Sequence, residues 1–137
     1  MSYIVTQESF ASLASCYDNP SYGLRWNLVF VLPHWLRVWW QSFNSDAELY
    51  LVAVREGERV IGIAPLQIVD RAASIIGSSD VCDYLDFIVA PGRERDFFTV
   101  LLDDLVKKGV KQLDLAPLRP DSTVHTSLLP LARERGY

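Results

Sequence analysis

The stretch Gly77–Gly92 decides how the rest of the chain can be arranged; its sequence is GSSDVCDYLDFIVAPG. It begins as a Gly/Ser turn, predicts a strand over Tyr84–Val89 and ends at a Pro-Gly pair that opens a helix. In that strand Tyr84 and Asp86 share one face, while Asp83 lies on the other. Aspartate is rare in strands unless its carboxylate is solvated, paired or functional. The stretch therefore indicates either a solvated strand end or a polar site where the strand meets the helix.

Length and composition indicate one globular domain over residues 1–137, because 50% of the residues are hydrophobic and 22% are charged. The formal net charge is −4 and no basic run is present, which argues against a nucleic-acid partner or an anionic membrane surface. The two cysteines, Cys16 and Cys82, lack the spacing of a metal site. We expect both to be buried thiols in a reducing compartment.

The N-terminus is polar, so it does not resemble a secretory signal. The most apolar run, Trp26–Phe43, is interrupted by proline, histidine and arginine, which leaves too few apolar residues to span a membrane. We therefore expect a cytoplasmic protein with no transmembrane segment. His34 and His125 have no carboxylate or thiol at ligand spacing, so no metal site is predicted.

Hydrophobic periodicity and turn residues predict ten elements along the chain. They are a strand over Tyr3–Thr6, helices over Glu8–Cys16 and Pro33–Phe43, strands over Glu48–Arg55, Arg59–Asp70, Ser74–Gly77 and Tyr84–Val89, a helix over Arg93–Lys108, a strand over Gln112–Ala116, and a helix from Asp121 or Ser122 to near Arg135. The order β-α-α-β-β-β-β-α-β-α predicts an α/β fold whose mixed sheet has helices on both faces.

Several local details follow from the same patterns. Thr6 is expected to cap the first helix, and Pro65 predicts an edge, a bulge or a split in its strand. In the third helix Val106 is predicted to face the sheet, whereas Asp103 and Asp104 are expected to form a solvated surface pair.

The second helix carries an apolar stripe at helical spacing, formed by Leu36, Trp39, Trp40 and Phe43. The plain interpretation is that these side chains belong to the hydrophobic core. The alternative is that Trp39 or Trp40 lines a pocket for a substrate, since an indole combines an apolar ring with one polar N–H.

The element order resembles the GNAT acyltransferase fold. Three segments, Pro33–Trp40, Val60–Leu66 and Asp83–Phe87, resemble the N-terminal part of the cellulose-biosynthesis (CelD-like) acetyltransferases, which are tandem-GNAT relatives of the Fem peptidyltransferases. Ala132–Tyr137 is similar to the end of the GNAT helix that precedes the last two strands. The resemblance covers nearly the whole chain. It implies a GNAT-like domain truncated before its last two strands, the N-terminal half of a longer tandem protein.

The resemblance also implies acetyl-CoA or another acyl-CoA as co-substrate. In the family, backbone N–H groups of a Q/R-x-x-G-x-G/A loop between strand four and helix three hold the pyrophosphate. Arg59–Ala64 matches these letters but lies inside a strand pattern. At Pro91–Phe98, where the loop belongs, an aspartate and a phenylalanine replace glycine or alanine, although Arg93 and Arg95 would attract phosphate. We therefore assign no coenzyme-binding residue here and expect a second half to bind the coenzyme.

Two functions are consistent with this pattern. In the first, the domain belongs to an acyltransferase that acylates an amine or hydroxyl of a small molecule or of a polysaccharide or peptide precursor. This half then shapes the acceptor side: Asp86 orients the acceptor, Tyr84 donates a hydrogen bond, and Trp39 and Asp83 line the pocket. In the second, the domain is a non-catalytic GNAT-like module for binding or support. Whether the chain is an enzyme by itself stays open, and the missing loop argues against it.

The predicted last strand, Gln112–Ala116, has one charged residue, Asp114. Without the two final strands of the family its edge is exposed, and an exposed apolar edge tends to pair with another chain. We therefore expect a homodimer, joined through this edge strand or through the tryptophan-rich helix.

Overall fold

The order of helices and strands follows the sequence prediction. The computed structural model describes residues 2–26, 32–43, 47–77, 85–115 and 122–136. Its regular elements are, in chain order, β1 (Tyr3–Gln7), α1 (Phe10–Tyr17), α2 (Pro33–Phe43), β2 (Glu48–Glu56), β3 (Arg59–Val69), β4 (Ala72–Ile75), β5 (Ile88–Val89), α3 (Glu94–Lys107), β6 (Gln112–Asp114) and α4 (Leu129–Glu134). A 3-10 turn, Pro20–Tyr22, follows α1, and a π-helical turn, Val124–Leu128, leads into α4.

The described strands form one sheet in the order β1-β2-β3-β4-β6, and β5 pairs with β3. Neighbouring strands are antiparallel except β4 and β6, which are parallel. Antiparallel neighbours need only short turns, whereas the parallel partner β6 is reached after the chain has passed through α3. The predicted α/β mixed sheet is confirmed.

Strand β3 changes its partner at Pro65. Its residues Leu66–Val69 pair with β4, whereas Gly62–Ile63 pair with β5. The Pro65 carbonyl accepts a hydrogen bond from the N–H of Ile76 (2.8 Å), but proline has no N–H to donate in return. Of the edge, bulge or split predicted at Pro65, the split is therefore the one that the structure shows.

Strand β5 is shorter than the strand predicted over Tyr84–Val89, because pairing begins only at Ile88. The physical reason lies in Asp86, whose carboxylate accepts a hydrogen bond from the backbone N–H of Phe87 (2.8 Å). That N–H is then not available to a neighbouring strand. Tyr84 itself lies outside the described residues.

Both faces of the central strands are buried, since successive residues of β2 and β3 are shielded from solvent. Helix α3 covers one face, and its Phe97 ring packs directly on the backbone of Gly62 in β3. Phe97, Phe98 and Phe87 form a cluster of edge-to-face rings with centroids 5.0 to 6.0 Å apart. These rings fix the position of α3 on the sheet.

Three local predictions are wrong. Ser9, not Thr6, caps α1 through a reciprocal pair of hydrogen bonds with Ser12. Val106 is 56% exposed, because it lies at the edge of the helix face that meets the sheet. Asp104 is not a solvated acid, since the hydroxyl of buried Tyr50 donates a hydrogen bond to it. Burial, together with this hydrogen bond, raises the pKa of Tyr50.

The predicted end of α3 is confirmed. Gly109 follows the helix with a φ of 81°, and its N–H bonds to the carbonyl of Val106 (3.1 Å). The N–H of Val110 bonds to the carbonyl of Leu105 (3.0 Å), which completes a Schellman motif. Within the described ranges, no helix has the length and apolar character needed to cross a membrane.

Candidate functional site

Asp86 joins the segment before β5 to the first turn of the C-terminal helix. Its two carboxylate oxygens lie 3.0 and 3.2 Å from the backbone N–H of Thr123, and one of them also accepts a hydrogen bond from the Thr123 hydroxyl. A carboxylate is favourable there because the first N–H groups of a helix have no partner within the helix. Asp86 is therefore paired by residues of this chain, and its carboxylate holds the start of the helix against the sheet.

The contact between Asp86 and Thr123 links segments next to two strands that pair with different partners. Strand β6 pairs with β4, and β5 pairs with β3. The hydrogen bonds of Asp86, which lies two residues before β5, connect this segment to the helical segment that follows β6. The predicted neighbours Asp83 and Tyr84, and also Cys82, lie outside the described residues, so the structure describes Asp86 alone of the polar residues predicted in this strand.

Trp39 is buried in α2, with 6% of its surface exposed. Its ring packs against Phe43, the centroids being 5.6 Å apart. The indole N–H of Trp39 is shielded from solvent and bonds to no group in the described part of the chain. This is unusual, because a buried donor without an acceptor costs about 1–3 kcal/mol. The core interpretation of this side chain is correct, but packing alone does not explain its unpaired N–H. No hydrogen bond joins it to Asp86.

A carboxylate of the chain itself lies at the start of α3. Gly92 precedes the helix with a φ of 84°, and its N–H donates to the carboxylate of Glu94 (3.1 Å). Asp96 adds a second acid to the first turn. The positive end of the helix dipole and a free backbone N–H are the features that bind phosphate at helix starts. Here the carboxylate of Glu94 takes the N–H of Gly92, just ahead of the N-cap residue Arg93, and no side chain caps the helix N–H groups themselves.

Both arginines near this turn are engaged. Arg93 lies 2.6 Å from Glu56 and 3.6 Å from Asp96, and it donates to the Tyr3 hydroxyl (3.2 Å). The hydrogen bonds to Tyr3 and Glu56 raise the pKa of the Arg93 guanidinium. Arg95 pairs with Glu134 at 2.9 Å.

These contacts decide whether the start of α3 fits the pyrophosphate of a coenzyme A. An incoming pyrophosphate would have to displace Glu94 and compete with Glu56 for the partly buried Arg93, with Asp96 nearby to repel it. The pair of Arg95 with Glu134 is largely exposed and opposes the ligand only weakly. Phe97 and Phe98 are fully buried in the core, so the misfit comes from the charged groups at this turn and not from these rings. The residues do not fit a pyrophosphate. The letter match at Arg59–Ala64 lies in β3, where no helix begins.

A second buried polar cluster was not predicted from the sequence. Glu8, whose side chain is 5% exposed, pairs with Arg55 at 3.4 Å, and the Thr6 hydroxyl bonds to both residues (2.7 Å to Glu8 and 3.2 Å to Arg55). Nearby Cys16 is buried, and this burial raises the pKa of its thiol. All the charged groups of this cluster are partnered. Across the described ranges, no group of three or more histidine, cysteine or acidic residues is placed to hold a metal ion.

Comparisons with known proteins identify the fold of the chain. No protein-family model matches the sequence, and the curated proteins give no match. Among solved structures, the chain is similar to the ribosomal-protein-S18-alanine N-acetyltransferase from Escherichia coli, with a TM-score of 0.57 and 16% identity over 98% of this chain and 77% of that one. It is also similar to the PaiA N-acetyltransferase from Thermoplasma acidophilum in complex with coenzyme A, with a TM-score of 0.57 and 15% identity over 95% of this chain and 87% of that one. The chain therefore has the GNAT acetyltransferase fold.

Proposed function

We propose that this domain takes part in the transfer of an acyl group from an acyl-coenzyme A to an amine or hydroxyl, and that it supplies the acceptor side of the site. The observation that carries the proposal is the fold, which matches two N-acetyltransferases over 98% and 95% of the chain. Because fold does not by itself imply function, the role of each part has to come from the residues of this chain.

The start of α3 argues that the coenzyme is held elsewhere. Glu94 occupies the N–H of Gly92, and Arg93 and Arg95 are paired with Glu56 and Glu134. The proposal therefore places the pyrophosphate on a second domain of the same fold, as the resemblance to the tandem CelD-like and Fem proteins implies. The second domain then binds the coenzyme, and the present domain contributes residues to the acceptor side of the site.

Direct transfer requires that the acceptor nitrogen or oxygen bond to the acyl carbon while the thiolate of coenzyme A leaves and the acceptor loses a proton. In our proposal the acceptor displaces the side chains that shield the N–H of Trp39 and accepts a hydrogen bond from it through an oxygen. Asp86 acts as a positioning residue, since it fixes the first turn of the last helix through Thr123. Tyr84 and Asp83, from the same strand prediction, complete the polar side of this site.

A Trp39→Phe substitution tests the acceptor role. It removes the N–H and keeps an aromatic ring, so we expect the KM for the acceptor to rise about tenfold, the loss of one buried hydrogen bond, with the KM for acetyl-CoA unchanged. The measurement is release of free thiol by the protein as its gene encodes it, with a panel of amines and alcohols. Trp40→Phe is the matched control on the same helix. An equal effect of both substitutions, or none, would remove Trp39 from the site.

An Asp86→Asn substitution tests the positioning role. The amide offers one acceptor where the carboxylate offers two, so the bonds to Thr123 weaken, and we expect kcat to fall about tenfold and stability by about 1–2 kcal/mol. Thr123→Val is the matched variant, because it removes the hydroxyl and keeps the backbone N–H. If Asp86 acts through Thr123, this variant should lower kcat in the same direction. Unchanged acyl transfer in Asp86→Asn would contradict the role.

The second candidate is a non-catalytic module with a GNAT fold. The observation that favours it is the hydrogen bond from the N–H of Gly92 to Glu94 ahead of α3, a contact that would serve equally in a domain that only supports a neighbour. The two candidates differ in their response to Trp39→Phe, because a supporting module gives no change in the acceptor KM of the whole protein.

A further inference from the structure

An apolar groove of about 330 Å³ lies between α3, β6 and α4. It is lined mainly by aliphatic side chains, among them Leu105, Val106, Leu113, Leu115, Leu128 and Leu129. Val106 and Leu129 are 56% and 37% exposed. Large aliphatic side chains gathered on one accessible surface are typical of a binding interface.

Strand β6 forms one wall of this groove and ends the sheet. Gln112–Asp114 pairs with β4 on one side, and the described residues place no strand on the other. Leu113 and Leu115 are half-buried toward the groove, whereas Gln112 and Asp114 are exposed. An edge with free backbone donors and acceptors is a template for pairing with another strand.

We propose that a second copy of this chain covers this edge and continues the groove, with the two β6 strands paired antiparallel about a two-fold axis at Leu113. The edge strand is self-complementary in this arrangement. Each Gln112 lies opposite the partner copy's Asp114, so the side-chain amide donates to the carboxylate twice in the interface. The two Leu113 side chains meet at the axis.

Charge disfavours one of the neighbouring registers. In the proposed register Lys111 lies opposite the partner copy's Leu115 and Asp114 lies opposite Gln112, so no two like charges face each other. A shift by one pair in one direction would set the two Asp114 carboxylates opposite each other, which is unfavourable. In the favoured register the leucines of each copy extend the apolar wall of the other copy's groove.

The test is the molar mass of the 137-residue chain by light scattering between about 1 and 100 μM, a range that resolves dissociation constants of moderate affinity. The wild-type chain should be a dimer at tens of micromolar. Val106→Glu adds a charge to the groove at an exposed position and should give monomers. Val38→Glu is the matched control: Val38 is 43% exposed on α2, outside the groove, so the dimer should persist.

A second pair of variants tests the register. Asp114→Lys removes both acceptors of the Gln112 amides and should raise the dissociation constant at least tenfold. Glu58→Lys makes the same change of charge on the exposed β2–β3 turn and should have no effect. A monomeric wild-type chain overturns the proposal. So does a dimer that survives Val106→Glu and Asp114→Lys, or one that dissociates with Val38→Glu, which would place the interface on the tryptophan-rich helix.

Discussion

A Gly62→Ala substitution should lower the free energy of unfolding by about 2–3 kcal/mol, although it adds a single methyl group. A Cβ at this position in β3 would lie 2.3 Å from the ring of Phe97. The ring is fully buried against Phe87 and Phe98, so it has no free space into which it can move. The measurement is urea denaturation of the wild-type and variant chains.

The matched test pairs this substitution with Phe97→Leu. Phe97→Leu alone should cost about 1–3 kcal/mol through lost packing. If the steric contact is the cause, the double variant should be more stable than the sum of the two single losses predicts, because the smaller side chain leaves room for the methyl group. Strictly additive losses would contradict the contact between α3 and β3 as the structure describes it.

An Arg55→Met substitution should cost about 2–3 kcal/mol, since it leaves the carboxylate of Glu8 buried without its cation. The side chain of Glu8 is 5% exposed, and that of Arg55 is 25% exposed. The partial exposure of Arg55 places the expected loss below that of a fully buried pair. Chemical denaturation at neutral pH measures the effect.

The control replaces both partners. Glu8→Gln together with Arg55→Met removes the buried charge and keeps the Thr6 hydroxyl near a neutral amide, so much of the lost stability should return. A double variant as unstable as Arg55→Met would show that the arginine acts through packing of its aliphatic stem, not through its charge.

The fold could be predicted from the sequence because its signals are local. Apolar periodicity and turn residues mark α2, the β2–β3 hairpin and α3, and the lack of an N–H in Pro65 marks the split of β3. Each of these signals lies within a few residues of the feature it predicts. The shortened β5 is the exception, because the side chain of Asp86 competes with the strand pairing for the N–H of Phe87.

The candidate site was less predictable because its contacts join distant parts of the chain. Asp86 was singled out as an acid in a strand, but its partner Thr123 lies 37 residues further along. Nothing in the local pattern around Asp104 indicates that Tyr50 donates to it across 54 residues. The unpaired N–H of Trp39 depends on the packing of α2 and has no sequence signal.

The arrangement at the start of α3 was only partly predictable from the sequence. The sequence shows an aspartate and a phenylalanine where the expected coenzyme loop has glycine or alanine, and acids in the first turn. The structure adds the reason that the arginines there do not compensate: Arg93 is engaged by Glu56, Asp96 and Tyr3.

Calorimetric titration of the 137-residue chain with coenzyme A and acetyl-CoA tests the central claim most directly, because it asks whether this domain holds the coenzyme. The T. acidophilum N-acetyltransferase, whose structure contains coenzyme A, serves as the positive control. We predict no heat of binding by this chain at concentrations where the control saturates, since Glu94 and the paired arginines occupy the start of α3. Saturable binding with a dissociation constant on the order of micromolar would contradict the account.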